Sequence, residues 1–282
     1  MAGLENFSLY GALGSAALAI LIAVLQFAVL RRVVSEREGK TAKASEGRYH
    51  ITLADLLAAI TFVLLTLTII ARWLRTGHGP FSNMYEFAVA FAWGAVGIGI
   101  IFQWRYKTGA LKNIGLFIAL LLLIFAGIKY AQPQPLVPAL QQSVLLSVHV
   151  ASAVVAYGTL TIGFGAAILF LIQERKKSPL LPDAAILEAV SYQSVLIGFP
   201  FLTAVIILGA LWADIAWGKY WSWDPKETAS LVTWLLYAAY LHARIIAGWR
   251  GTRTAVLLIT GFAAILLTFF GNYIFSGLHA YG

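Results

Sequence analysis

Long apolar stretches, separated by short polar or Pro- and Gly-containing segments, recur along the whole chain. They predict eight helices, near residues 8–30, 52–74, 82–103, 111–129, 140–173, 184–213, 225–247 and 253–276. Each is close to or above the ~20 residues that cross the hydrocarbon core of a bilayer. Backbone groups in that core have to be bonded within the segment, which favours helices. The pattern therefore predicts an all-α, polytopic helical membrane protein with about eight transmembrane helices.

The composition agrees with this fold class and narrows the chemistry. The 282 residues are 60% hydrophobic and only 11% charged, whereas soluble domains carry about 25% charged residues. A soluble globular protein is thereby excluded. The chain has no cysteine, which excludes disulfides and thiolate metal sites. Without an internal repeat or a soluble insertion, residues 1–282 are expected to form a single integral membrane domain.

Lysine and arginine are distributed unevenly between the segments that join the helices. Segments 31–50, 104–112, 174–183 and 243–253 hold 15 of the 20 basic residues. The positive-inside rule puts these segments in the cytoplasm and both termini outside. Segment 31–50 is then a solvated, basic cytoplasmic loop. The net charge of +8 is explained by topology, and no nucleic-acid partner is needed.

Segment 217–227, with the sequence WGKYWSWDPKE, interrupts the apolar pattern with aromatic rings. Four of them, on Trp217, Tyr220, Trp221 and Trp223, occur within seven residues. We expect a rigid, flat surface at the outer membrane boundary that can hold a large planar ligand. The alternative is an aromatic belt at the interface, which usually spreads a few rings over many helices.

The acidic end of this segment has a second interpretation. Asp224, Pro225 and Glu227 have the spacing of a capping box at the start of the seventh helix. Both carboxylates would then satisfy free amides and interact favourably with the helix dipole. This role is structural, but a firmly capped helix would also fix the tryptophans next to it.

Two histidines are predicted to lie at the level of the aromatic segment. His149 is 24 residues before Gln173, or roughly 36 Å along the fifth helix. His279 is 26 residues after Arg253, or roughly 39 Å along an unbroken eighth helix. Both distances exceed the ~30 Å hydrocarbon thickness. Two imidazoles at matched heights beside a stacking surface suit axial ligation of haem iron; two unrelated surface histidines are the alternative.

The other histidines differ in depth. His242 is eight residues before Arg250, so it lies roughly 12 Å inside the cytoplasmic boundary. An ionisable group at that depth is a functional candidate, although a neutral histidine bonded to a neighbouring helix remains an alternative. His78, between two glycines, is expected to be a loop residue, and His50 an incidental neighbour of the basic loop.

Glu86 begins the third helix close to the hydrocarbon core. A carboxylate there needs a partner. Arg72 and Arg75 are predicted on the same outer side, so the sequence predicts a structural ion pair between Glu86 and one of these arginines.

Segment 217–227 resembles the tryptophan-rich WWD signature of the haem-handling proteins of cytochrome c maturation. The continuation 228–234 (TASLVTW) and residues 240–244 (YLHAR) are most similar to the CcsA (ResC) branch, a component of the system II cytochrome c synthase. Residues 79–86 and the following Phe87 (GPFSNMYEF) resemble a segment of the same branch. The resemblance covers the second to the eighth predicted helix.

The resemblance implies a function and a set of site residues. Haem b would be bound and moved to the outer face. There the tryptophan-rich segment would present it for thioether attachment to an apocytochrome c carrying Cys-x-x-Cys-His. The positions that match the family's iron ligands are His149 and His279 at the outer surface and His242 within the membrane. The other cofactor-binding positions that match are Trp217, Gly218, Trp221, Trp223, Asp224 and Glu227.

The resemblance also implies partners and a location. A CcsB-like membrane subunit would supply the ligand opposite His242 and form a holocytochrome c synthase with this chain. Thiol-reducing maturation proteins would serve the substrate, because this chain has no cysteine. No catalytic acid or base is implied. The chain would lie in the lipid of the bacterial cytoplasmic membrane with its active face in the periplasm.

Two other classes of function remain open at this point. One is haem transport, or delivery of haem to a chaperone, without any part in ligation. The other is a b-type haem subunit for electron transfer, which usually has paired histidines at two depths on facing helices. Only His242 is predicted to be deep in the membrane, which counts against the second class.

Overall fold

The computed structural model describes residues 1–37, 52–79, 82–132 and 143–274, and these residues form eight α-helices. In chain order they are α1 (Ala2–Arg37), α2 (Leu53–Thr76), α3 (Met84–Tyr106), α4 (Ala110–Ile128), α5 (Ser143–Lys176), α6 (Ala184–Trp217), α7 (Pro225–Ile245) and α8 (Thr252–Ile274). Seven of them are long and apolar enough to cross a membrane. The predicted class, a polytopic helical membrane protein, is confirmed.

Helix α7 is the one described helix outside that set of seven. Lys226, Glu227, His242 and Arg244 lower its hydropathy. It nevertheless packs along its length against α6 and α8. The Trp234 indole N–H donates to the Thr203 hydroxyl of α6 at 2.9 Å, and the Thr233 and Thr268 hydroxyls of α7 and α8 are 3.2 Å apart. With 21 residues, α7 is roughly 31 Å long and extends beside both neighbours.

Glycines bring the central helices close together. A Cβ on Gly115 of α4 would lie 2.3 Å from the carbonyl oxygen of Ala95 in α3. A Cβ on Gly158 of α5 would lie 3.1 Å from the backbone of Gly94 in α3. Small residues of this kind allow backbone-to-backbone packing where the lipid itself supplies no hydrophobic driving force between helices. Helix α3 is thereby fixed between α4 and α5.

A buried ion network joins α1, α2 and α3 at one end of the bundle. Arg72 Nε donates to Glu86 at 2.8 Å, and the side chains are only 2% and 1% exposed. The predicted ion pair of Glu86 is therefore confirmed, with Arg72 as the partner. Glu5 also belongs to this network, although the sequence did not predict it. Its carboxylate is bound by Arg72, by Arg75 and by the Tyr85 hydroxyl. Because these charges are paired, this end carries little unbalanced positive charge.

The opposite end contains the other described ion pairs. Asp55 binds Lys112 and accepts a hydrogen bond from Gln103 at 2.8 Å. Glu188 of α6 binds Arg244 and accepts from the Gly251 N–H at 2.9 Å, at the start of α8. Most of the predicted cytoplasmic lysines and arginines that the structure describes are near this end. The orientation of the ends relative to the membrane stays a prediction.

Candidate functional site

The aromatic segment begins as the last turn of α6 and continues as a loop over residues 218–224. Helix α6 ends at Trp217, and Gly218 follows in the left-handed conformation with φ of 73°. The Gly218 N–H donates to the Asp214 carbonyl at 2.8 Å. Glycine adopts this conformation without a steric penalty. Gly218 therefore has a structural reason to occupy its position: it turns the chain out of the helix.

The other end of the loop is fastened to the first turn of α7. The predicted capping box between Asp224 and Glu227 is present. The Glu227 carboxylate accepts from the Ser222 N–H at 2.8 Å and from the Asp224 N–H at 3.2 Å, and Asp224 accepts from the Lys226 N–H at 2.9 Å. Both carboxylates are buried. Their described contacts are with the loop backbone, which holds Trp221 and Trp223 in place.

The four tryptophan rings at this end form two perpendicular pairs instead of the expected flat surface. Trp212 and Trp217 meet edge to face, with ring centroids 4.8 Å apart and an interplanar angle of 74°. Trp221 and Trp223 meet at 5.8 Å and 88°. Trp223 has a positive φ of 59° and is 69% exposed. A planar ligand that stacks on one ring of a pair would thus meet the second ring of that pair at the ligand's edge.

His149 lies in the second turn of α5, beside the buried tryptophan pair. The ring packs so closely on α6 that a Cβ at Gly209 would be 3.0 Å from His149 Cε1. Trp212 and Trp217 pack in the same cluster as Leu146, which is one turn before His149 on α5. The structure thus places His149 close to the cluster in which Trp217 packs, and its role as an iron ligand stays a prediction.

Phenylalanines of α3 complete this side of the bundle. Phe87 packs against the cluster that contains Trp212 and is stacked on Phe91 at 6.4 Å. Phe91 in turn contacts Tyr157 at 5.5 Å and Phe269 at 5.6 Å. The sequence analysis quoted Phe87 within a motif but gave it no role. The motif could have indicated that Phe87 belongs to the site. The packing of α3 near α6 cannot be inferred from residue spacing.

The other two histidines of the described residues, His242 and His78, differ in environment. His242 is exposed on α7, 17 residues after Pro225, which is roughly 26 Å along the helix. His78 is buried, and its Nδ1 lies 2.7 Å from the Gly79 carbonyl oxygen. His279 and His50 lie outside the described residues. The predicted pairing of His149 with His279 at the outer face therefore remains a prediction.

A carboxylate, that of Asp214, lies where the aromatic loop leaves α6. The Asp214 carboxylate accepts a hydrogen bond from the Tyr220 hydroxyl and raises the pKa of this tyrosine. In the described part of the chain, no group of three or more His, Cys, Asp or Glu side chains is arranged to hold a bare metal ion. A porphyrin-bound iron does not need such a group, because the macrocycle supplies four of its ligands. His149 beside Gly209 and aromatic rings fits that kind of ligand.

Comparison with known proteins places the chain in one family. The family model described as "Cytochrome C assembly protein" matches residues 81–279. The protein "Cytochrome c biogenesis protein CcsA" of Chlamydomonas reinhardtii is 40% identical over 244 residues, covering 82% of this chain and 69% of the relative. The CcsA of Guillardia theta is 38% identical, covering 81% and 84%. The CcsA of Prochlorococcus marinus (strain MIT 9312) is 38% identical, covering 82% and 84%.

The fold is also similar to that of a solved structure, "Cytochrome c Heme Lyase CcmF". The TM-score is 0.67 over 95% of this chain and 46% of the other, with 19% sequence identity. At this identity the similarity supports the helical architecture alone. Together with the sequence matches to the CcsA proteins over most of both chains, it confirms the predicted resemblance: the chain is an integral membrane protein of the CcsA family and acts in cytochrome c biogenesis.

Proposed function

We propose that the chain binds haem b, carries it to the outer face of the membrane and presents it at segment 217–227 for thioether attachment to apocytochrome c. The proposal makes the chain a component of a holocytochrome c synthase, together with a CcsB-like subunit. The main support is one observation: His149 lies against Gly209 beside the Trp212–Trp217 pair, at the end of the bundle where the aromatic loop emerges.

Each element of this site has a role in binding and positioning. His149 is the proposed axial ligand on α5, and Gly209 leaves room for its ring because it has no side chain. The tryptophan rings offer apolar faces and edges for a macrocycle. Asp224 and Glu227 act indirectly, by holding the loop backbone. Bound haem would supply an iron for axial histidines and vinyl groups for the thioether bonds.

No acid or base of this chain is required in that scheme. The attachment is accelerated by holding the two reactants in the productive orientation, which is worth several orders of magnitude in rate. The substrate thiols are kept reduced by other maturation proteins, since this chain has no cysteine. We further propose His279 as the second ligand at the outer face. We also propose a bacterial cytoplasmic membrane as the location, as the family resemblance implies, and the charge distribution favours its outer, periplasmic side for segment 217–227.

His242 supports the proposal of a partner subunit. It lies on a face of α7 that also presents Val232, Leu235 and Ile246 outside the described bundle. An imidazole on a lipid-facing surface is costly unless a neighbouring protein pairs with it. A CcsB-like subunit that packs on this face of α7 would provide the opposite ligand for a second haem position within the membrane.

The test is the haem content of the purified protein. We expect a b-type absorption spectrum and a positive pyridine haemochrome assay in the wild type, co-expressed with its CcsB-like partner. His149→Ala and His242→Ala should each lower or shift the spectrum. His50→Ala, in the predicted cytoplasmic loop, is the matched control and should leave it unchanged.

The same variants distinguish the proposed function from its alternatives. In a strain without other maturation machinery, His149→Ala should abolish holocytochrome c formation while the protein remains in the membrane. Normal maturation in His149→Ala, or a wild type that never contains haem, would contradict the proposal. Haem binding without any thioether formation by the wild type would favour transport or delivery to a chaperone.

A further inference from the structure

Lys226, the second residue of α7, faces the aromatic cluster instead of the water outside the loop. Its Nζ lies 5.6 Å from the centroid of the Phe87 ring in α3, and the side chain is half-buried. Lys219, in the same aromatic segment, is exposed. The two lysines therefore differ in environment although only seven residues separate them.

The surroundings of the Lys226 ammonium group are those of the candidate site. Phe87 packs with Trp212 and Trp217, and these tryptophans lie in the cluster beside His149. A positive charge is thus held against a ring of the same cluster that contains Trp212 and Trp217. The cation–π contact with Phe87 gives modest stabilisation and satisfies none of the three N–H donors.

The charge of the Lys226 ammonium group is only partly balanced: the carboxylate of Asp224 attracts it, but the two side chains do not form an ion pair. None of the ion pairs between described residues includes Lys226. The nearby carboxylates have other partners. Asp224 accepts from the Lys226 backbone N–H, Glu227 binds the amides of the loop, and Glu86, next to Phe87, binds Arg72. A half-buried ammonium group in an aromatic cluster is costly unless an anion pairs with it. The structure therefore has a cation in position for an anionic group of a ligand.

We propose that Lys226 binds a propionate carboxylate of the haem held at His149. This inference rests on the proposed function. Haem has its two propionates on one side of the macrocycle and its vinyl groups away from them. An axial ligand alone fixes the iron but leaves the ring free to rotate about the iron–nitrogen axis. A second attachment at the propionate edge stops that rotation. Lys226 is thus a positioning residue that determines which edge of the haem meets the substrate thiols.

The experiment compares two ligands that differ only at these carboxylates. Ferric protoporphyrin IX and its dimethyl ester are titrated into the purified complex, and binding is followed by absorbance and tryptophan quenching. The variants are Lys226→Gln, the conservative Lys226→Arg, and the control Lys219→Gln. We expect Lys226→Gln to weaken binding of the free acid about tenfold, the equivalent of one charge-assisted contact, and to leave binding of the ester unchanged.

The remaining outcomes separate this proposal from the function on which it rests. Lys226→Arg should keep most of the preference for the acid, and Lys219→Gln should behave as the wild type. An equal loss for acid and ester in Lys226→Gln would mean that Lys226 acts only by packing on Phe87, and would overturn the propionate contact alone. A wild type that binds neither porphyrin would overturn both the contact and the proposed function.

Discussion

Glu227→Gln is the substitution that tests most directly how the aromatic loop is held. The Glu227 carboxylate accepts from two backbone amides, Ser222 N–H at 2.8 Å and Asp224 N–H at 3.2 Å, and from the Ser222 hydroxyl at 3.2 Å. Glutamine has the same shape but no charge, and its NH₂ group cannot accept. Both amides bind the same oxygen, Oε2, which the amide oxygen of glutamine can replace, while the NH₂ group would take the place of Oε1 beside the Ser222 hydroxyl. The substitution therefore removes the negative charge from both amide hydrogen bonds.

The expected cost follows from these contacts. A hydrogen bond to a charged acceptor is worth ~1.5–3 kcal/mol and a neutral one ~0.5–1.5 kcal/mol, so the two amide bonds together lose ~2–3 kcal/mol when the charge is removed. The loop is at the predicted membrane–water boundary, so water can replace part of this, and measured helix N-caps contribute ~0.5–2 kcal/mol. We therefore expect a local destabilisation of about 2 kcal/mol, which corresponds to a roughly 30-fold larger population of the open loop.

Hydrogen–deuterium exchange of the purified protein measures this population. The amides of Ser222 and Asp224 should exchange roughly 30-fold faster in Glu227→Gln, while the amides of α3 and α5 keep their rates. Glu174→Gln, at an exposed position near the end of α5, is the control and should change neither set. Unchanged exchange at Ser222 and Asp224 would show that the loop does not depend on the carboxylate, and the argument would fail.

Three further changes test the fold and the electrostatics. Glu86→Gln leaves Arg72 and Arg75 with one carboxylate, that of Glu5, and so leaves one buried positive charge uncompensated. The change should cost ~3–5 kcal/mol, seen as a lower melting temperature of the purified protein; an unchanged melting temperature would contradict the buried network. Gly115→Ala puts a Cβ 2.3 Å from a carbonyl oxygen of α3 and should cost ~1–3 kcal/mol, whereas Gly127→Ala, where the Cβ meets nothing within 4 Å, should be neutral in the same assay. Tyr220 should ionise at higher pH than an ordinary tyrosine because of Asp214; its hydrogen bond is retained below the usual pKa of ~10 and lost as the pH rises through the raised value. Ultraviolet tyrosinate absorbance should show this difference between the wild type and Asp214→Asn, and identical titrations would refute it.

Much of the fold could be predicted because hydropathy and helix ends are local properties. The expected helices agree with α2 to α8 to within a few residues, and Gly77 and Gly218 end their helices in left-handed conformations as glycine permits. The capping box of Asp224 and Glu227 was predicted from spacing alone, since its contacts span one helical turn. The ion pair of Glu86 could be predicted because an unpaired charge near lipid is energetically costly.

The parts that failed depend on which helices are neighbours and on how single side chains are oriented. Nothing in the spacing shows that Glu5 of α1 reaches Arg72 and Arg75 of α2, because the contact requires the packing of both helices. The expectation of a flat aromatic surface failed because the tryptophan rings meet edge to face, and residue spacing does not determine ring orientation. All eight predicted helices are present in the described residues, and α7 is the one whose composition is less apolar than that of the other seven.

The composition of α7 has a consequence for how the protein is made. A polytopic chain enters the bilayer while it is being synthesised, and each segment partitions according to its own apolarity, with a charged residue at mid-membrane costing ~2.5–3.5 kcal/mol. Helix α7 falls short by this measure, and its bonds to Thr203 and Thr268 are made with helices on both sides. We therefore expect the retention of α7 in the membrane to depend on α6 and α8. A chain that stops after α7 would keep the tryptophan loop on the side set by α6, but α7 would lack the Thr268 hydroxyl that lies beside Thr233 in the full chain.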